Sequence, residues 1–275
     1  MTAPPVGDHD EISTGYQQWA PFYDADTADR PFNRYGRLFH DLARRYANIP
    51  CPVGVRLLDL GCGSGISSLG FAALGYAVLG CDLSSAMLDH ARAKPHADQV
   101  RFEEADLRHL PDWGEFDVIC AVTNPMDHLL TDEDFASALR GIVRSLAPDG
   151  VFLFDQLSER AHHRSVRHPA VRESDGQFLI CRTWQHTLPT EPEPVFTRRM
   201  DRFVRHAPGQ WHRIAHQNTF RARSETSVRR LLTRAQLDCV AVHPVSRLRQ
   251  GGQHERPDER VLFVARHQSR QVRHS

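Results

Sequence analysis

Leu57-Leu58-Asp59-Leu60-Gly61-Cys62-Gly63-Ser64-Gly65 decides how the rest of the chain reads. Val55 to Leu60 is a short apolar run of the kind shown by a strand buried on both faces, and a helical stretch follows from Ile66 to Leu74. Glycines at such a strand-to-helix turn let backbone approach a ligand closely, beside the free N–H groups of a helix N-terminus. A dinucleotide fingerprint needs glycine or alanine at position 66, where Ile66 stands. The G-x-G-x-G spacing, with Asp59 two residues ahead of the first glycine, suits a nucleoside with a small zwitterionic tail better than a pyrophosphate.

Working outward, Gly75 ends the helix and Ala77 to Cys81 forms the next strand. Ser84 caps a helix running to about Ala93. Strands follow at Val100–Glu103, Phe116–Val122 and Val151–Phe154, the last after a turn at Pro148-Asp149-Gly150. Thr131, with Asp134 at the capping-box position, opens a helix to Leu146. This alternation defines an α/β chain with a doubly wound, mainly parallel sheet and a ligand crevice at the strands' carboxyl ends. Upstream, residues 11–48 read as helical, broken by Pro21 and Pro31.

Beyond Asp155 the rhythm changes. Residues 156–176 read as a polar loop, and 178–186, 195–206 and 211–221 as strands without intervening helices, an antiparallel lid over the main sheet. Ser224 then caps a helix to about Gln236, with strands at Cys239–Val245 and Arg260–Ala265. The expected organisation is a nucleoside-binding domain over 11–175 and 223–266, a β-insert over 176–222, and disordered tails at 1–10 and 267–275.

The 275 residues carry 34 basic and 34 acidic side chains, but the balance is uneven. Residues 1–159 hold 12 Lys+Arg against 24 Asp+Glu, and residues 160–275 hold 22 against 10. Such a basic half suits an anionic small molecule or nucleic acid, whereas solvated strand faces are the plainer explanation. No apolar run reaches the ~18 residues of a membrane span. Six cysteines, Cys51, Cys62, Cys81, Cys120, Cys181 and Cys239, lie singly with no C-x-x-C, so a cytoplasmic, reducing location is expected and a zinc knuckle is not.

Two further acids follow in order. Asp82 closes the second strand, where a carboxylate accepts ribose hydroxyls, and Asp106 lies just past the third, within reach of an adenine amino group. With the glycine turn, Asp82-Leu83-Ser84-Ser85-Ala86-Met87-Leu88, Phe116 to Val122 and Leu146 to Asp155, the chain resembles a class I S-adenosylmethionine-dependent methyltransferase over roughly residues 12–266. Tyr16-Gln17-Gln18-Trp19-Ala20-Pro21-Phe22-Tyr23-Asp24 and the meander after the fifth strand sharpen this to the small-molecule type, similar to sugar N,N-dimethyltransferases and glycine-type N-methyltransferases. The resemblance implies a seven-stranded Rossmann-like sheet whose last strand is antiparallel. It also implies S-adenosyl-L-methionine as cofactor, held by Tyr23, Asp59, Gly61, Cys62, Gly63, Asp82, Leu83, Met87, Asp106, Leu107 and Thr123.

The segment Thr123-Asn124-Pro125-Met126-Asp127-His128-Leu129 faces the methyl group in this fold. His128 is the preferred general base, since its usual pKa of ~6.5 suits taking a proton from an ammonium or hydroxyl. Asp127, and beside it Asp155, are candidates for orienting an amine. Asn124-Pro125 resembles the Asn-Pro-Pro-Tyr motif of methyltransferases acting on amide or adenine nitrogen, but Met126 and Asp127 stand where proline and aromatic belong. Tyr16, Trp19, Phe22 and Tyr23 offer ring faces for a sulfonium, or helix packing. No zinc or magnesium ligand spacing appears among the 17 histidines and the acids, so metal-independent chemistry is expected. The expected partner is a small, anionic acceptor met by Arg198, Arg199, Arg202, Arg205, Arg213, Arg221 and Arg223. N-methylation in specialised metabolism is favoured over O-methylation. RNA methylation and cofactor binding without transfer remain as alternatives, and a homodimer is left open.

Overall fold

The computed structural model describes residues 9–27, 32–174, 177–188, 191–207, 209–244 and 260–268. Its centre is a seven-stranded sheet in the order β10-β11-β5-β4-β1-β2-β3. In chain order these are β1 (Arg56–Leu60), β2 (Ala77–Asp82), β3 (Val100–Glu104), β4 (Phe116–Ala121), β5 (Leu146–Leu157), β10 (Leu237–Pro244) and β11 (Arg260–His267). β1 to β5 run parallel, and β11 is antiparallel to both β5 and β10.

Strand alternation divides the core. Leu58, Leu60, Ile119, Phe152 and Phe154 pack on one face with α5 (Asp132–Ser145) and α7 (Glu225–Arg234). Leu57, Val78, Val118, Cys120 and Leu153 pack on the other with α2 (Phe32–Tyr46), α3 (Ile66–Ala73) and α4 (Ser85–Arg92). Because β2, β4 and the second half of β5 are buried on both faces, their sequences are nearly continuously apolar, which is why these strands are readable. The helix starts are equally local: Ser84 accepts from Met87 N, Thr131 from Asp134 N and Ser224 from Ser227 N.

A second, four-stranded antiparallel sheet has the order β6-β7-β8-β9, from β6 (Ala170–Ser174), β7 (Gln177–His186), β8 (Val195–Ala207) and β9 (Gln210–Arg221). It begins at Ala170, earlier than the expected insert boundary. The stretch expected as loop holds α6 (Glu159–Arg167), capped by Ser158, and then β6. Neither element is marked by apolar residues: α6 buries only His162, and Val171, Arg172 and Glu173 of edge strand β6 are exposed.

Other expectations need correction. Pro21 lies within α1 (His9–Thr27) instead of ending it; Pro21 and Gln17, the residue four before it, are both exposed, so water replaces the lost backbone bond. Pro148-Asp149-Gly150 belongs to β5: Phe116 faces Leu146 and Val118 faces Val151, so 147–150 form an irregularity inside one strand. His9 and Asp10 are helical, His267 is in β11 and Gln268 donates its N–H to the Gln236 carbonyl, whereas the remaining tail positions, Pro31 and Val245 fall outside the described residues.

Candidate active site

The glycine turn after β1 is shaped by packing. Gly61 has φ 62°, and a Cβ there would sit 2.5 Å from the Pro125 Cβ. At Gly65, φ is 76° and a Cβ would meet Ala91 and Phe102 at 2.8 and 2.9 Å. These two glycines therefore admit neighbouring side chains. Asp59 is fully buried beneath the turn: its Oδ2 accepts from Ser67 Oγ at 2.7 Å and Ser68 Oγ at 2.6 Å, tying β1 to the first turn of α3. Burial raises its pKa to about 6, and it does not reach the ligand cavity expected of it. Cys62 is likewise buried, its N–H on the Cys81 carbonyl, and off the cavity wall.

Above the turn lies a cavity of about 100 Å³, walled by Tyr16, Tyr23, Gly61, Gly63, Asp82 and Asp106 with Leu83, Met87, Leu107, Thr123 and His128. Ser84, Ala105, Pro125 and Leu129 join this wall and were not foreseen. Asp82 accepts from Gly63 N at 2.8 Å and Ser84 N at 2.9 Å, joining the turn to the start of α4. Burial pushes its carboxyl up, with those N–H groups opposing. Asp106 receives the Arg108 guanidinium on both oxygens, at 2.9 and 2.6 Å on Oδ2 and 3.0 Å on Oδ1. Carboxylate oxygens hold about four lone-pair sites, so Asp82 keeps capacity for a ligand, whereas Asp106 also accepts from Arg108 N at 2.9 Å and shares its oxygens with that residue. Over the turn, α1 is clasped by Asp24, which accepts from Ser64 Oγ at 2.6 Å and pairs with Lys94 at 2.7 Å.

The segment after β4 is strained. Thr123 and Asn124 have φ 66° and 62°, a costly conformation for a β-branched residue. Asp155 holds it by accepting from both N–H groups, at 2.6 and 3.2 Å, and by pairing with Arg260. Arg260 also donates to Asn124 Oδ1 at 3.1 Å. Asp155 and Asn124 thus brace the turn, and Asn124 also lines a larger, adjoining cavity. Asp127 is also internal: fully buried, it accepts from Leu157 N at 3.1 Å, and burial drives its carboxyl far above the usual range. His128 differs. Its Nδ1 lies 3.0 Å from the Thr219 carbonyl, which can only accept, so Nδ1 carries the proton. In the neutral ring Nε2 then has the lone pair, 3.0 Å from the Tyr16 hydroxyl.

A larger cavity of about 420 Å³ adjoins the first and shares Tyr16, Tyr23 and Thr123 with it. Its wall adds Trp19, Arg164, Arg172, Arg198, Asn218 and Arg260, from α1, α6, β6, β8, β9 and β11. Of the seven arginines expected here only Arg198 is present. Arg199 and Arg213 pair with Asp201, and Arg202 with Asp26. Arg221, fully buried, meets Asp132, Glu191 and Glu193 at 3.0, 2.6 and 2.6 Å, and Arg223 donates to the Thr131 carbonyl. Phe22 lies under Arg202, not in either cavity. Among the described residues no cluster of three or more His, Cys, Asp or Glu has metal-site geometry.

A glycine turn, an acid at the end of β2 and a crevice at the strands' carboxyl ends together define the class: the fold is that of the class I S-adenosylmethionine-dependent methyltransferases. Residues 57–150 match the methyltransferase domain family. It is 30% identical over 142 residues to YqeM of Bacillus subtilis (strain 168), named as a methyltransferase, covering 51% of this chain and 54% of the relative. It is 36% identical over 126 residues to the cypemycin N-terminal methyltransferase of a Streptomyces species, covering 44% and 51%. These alignments span about half the length of those relatives. Two solved structures share the fold. A S-adenosylmethionine-dependent methyltransferase from Clostridium acetobutylicum has TM-score 0.73 and 20% identity, covering 92% of this chain and 99% of that one. The sugar N-methyltransferase KedS8 from Streptoalloteichus has TM-score 0.69 and 19% identity, covering 98% and 96%.

Proposed function

We propose that the protein methylates the nitrogen of a small anionic acceptor, using S-adenosylmethionine. The observation that carries this reading is the pair of adjoining cavities meeting at Tyr16, Tyr23 and Thr123, with His128 on the wall of the smaller. Bound S-adenosylmethionine supplies an activated methyl group on a cationic sulfur. The residues present fit it: Asp82 offers a partly buried carboxylate to the ribose hydroxyls, and Asp106, shared with Arg108, stands on the same wall where the adenine amino group is expected. Tyr16 and Tyr23 line the smaller cavity, where a ring face over a cation is worth roughly 0.5–2 kcal/mol.

The chain's own part is to align the acceptor and take its proton. Holding two reactants in line supplies several kcal/mol. With Nδ1–H fixed on Thr219, His128 Nε2 takes the proton through a hydrogen bond, an effect of about 10²–10⁴-fold. A neutral imidazole suits an ammonium better than an alcohol, and the N-methyltransferases among the similar proteins support nitrogen and specialised metabolism. Arg164, Arg172, Arg198 and Arg260 all line the larger cavity and give it a basic wall that suits an anion. The RNA alternative loses ground because Arg202, Arg221 and Arg223 point inward to protein partners. No helix among the described residues is long and apolar enough to cross a membrane, and the six cysteines are free, which suits the cytoplasm. Calorimetric titration tests the cofactor: S-adenosylmethionine binds at micromolar concentration and NAD does not. Failure of S-adenosylmethionine to bind overturns the proposal.

A further inference from the structure

We infer that Asn218 selects the acceptor: its amide oxygen receives a hydrogen bond from the N–H that the bound acceptor presents. This rests on the larger cavity being the acceptor site. Asn218 lies on β9 opposite Arg198 of β8, is 1% exposed and lines that cavity, and its Oδ1 has no hydrogen-bond partner. Buried polar groups in folded proteins are nearly always paired, so an orphan calls for an explanation. The other buried orphan side-chain atoms among the described residues, on Asp127, Gln156, His162 and His216 for example, belong to residues off the walls of both cavities.

The neighbouring backbone keeps protein donors away. Gly15 of α1 descends on this point so closely that a Cβ there would be 2.6 Å from the Gln217 carbonyl and 3.4 Å from Asn218 Oδ1. Glycine brings no side chain to the oxygen. The next residue on each element belongs to the reaction centre: Tyr16 follows Gly15, and Thr219, whose carbonyl holds His128, follows Asn218. The orphan oxygen therefore sits one residue from the Tyr16–His128 pair on both elements. A ligand N–H satisfies it, whereas a methyl group in the same place leaves it unpaired and excluded from water. Sites built this way reject the analogue lacking the donor.

A matched pair of probes tests this with the protein saturated in S-adenosylhomocysteine. O-phosphoethanolamine and propyl phosphate share a phosphate and chain length but end in ammonium and methyl. Titration followed by Trp19 fluorescence and calorimetry should give at least about tenfold tighter binding of O-phosphoethanolamine, equivalent to ~1.4 kcal/mol. Asn218→Leu should abolish that preference, leave propyl phosphate unchanged, and melt no lower than the parent protein, since it removes an orphan. Equal binding of both probes by the parent protein, an undiminished preference in the variant, or a lower melting temperature overturns the inference. Binding of neither probe overturns the anionic-acceptor reading itself, and the inference with it.

Discussion

The two cavities that meet at Tyr16, Tyr23 and Thr123 are built by different means. The smaller takes all its wall outside α1 from residues 61–129, and its carboxylates are aimed by backbone N–H groups at strand ends. The larger collects side chains from eight separate elements, several of them in the second sheet. A wall made from turns changes only if the fold changes. A wall made from side-chain tips is altered residue by residue, so acceptor choice can diverge on a constant cofactor site.

The largest expected effect breaks the junction between the two regions. Arg221 joins β9 to Glu191, Glu193 and the start of α5 with no exposure to water. Arg221→Met leaves those acids uncompensated and should cost about 3–5 kcal/mol in denaturant unfolding. A loss below ~1 kcal/mol would show that the second sheet is held by other contacts. Next, Asp82→Ala removes a ligand for the ribose and two backbone bonds of the smaller wall. It should weaken S-adenosylmethionine about 100-fold, at 1.5–3 kcal/mol per charged hydrogen bond. An unchanged Kd would remove Asp82 from the site.

Acid separates the regions further. Burial lowers His162, which lies behind the larger cavity against Phe196, to about 3. Its folded pKa is below the unfolded value of ~6.5, so it costs nothing above that pH and about 1.4 kcal/mol per unit below it. Asp59, under the glycine turn, is raised to about 6 by burial and works the other way. Its cost is full above pH 6 and vanishes as pH falls toward 4. His162→Phe should therefore gain about 2 kcal/mol over the parent between pH 7.5 and 5. An equal advantage at both values would mean that His162 does not titrate in the folded state.

The smallest effect lies within one strand. Arg198→Ala should raise the Kd for O-phosphoethanolamine about tenfold, whereas Arg199→Ala, which loses only a partly exposed pair with Asp201, should leave it unchanged. Equal effects would mean that both reach the anion.

Much of the first region was legible because its signals are local. Both-face burial makes β2 and β4 nearly continuously apolar, and Ser84, Thr131 and Ser224 mark helix starts. Asp82 and Asp106 are legible as residues of the cavity wall because they stand at strand ends. Asp59 was misplaced because hydroxyls one helical turn away, on Ser67 and Ser68, draw it inward, a choice no spacing reveals. In β8 the alternation decides which arginine faces the cavity, and Asp26 of α1 then captures Arg202. Arg164 lies in a helix with few apolar residues to announce it, and Arg260 and Asn218 belong to strands far apart in sequence.

The most direct test of the two-cavity account is a crystal structure of the full chain with S-adenosylhomocysteine. The account predicts the nucleoside in the smaller cavity, the ribose hydroxyls on Asp82, the adenine amino group at Asp106, and the sulfur toward Tyr16 and His128. A nucleoside lodged among Arg164, Arg172 and Arg198, or a ribose away from Asp82, would contradict it.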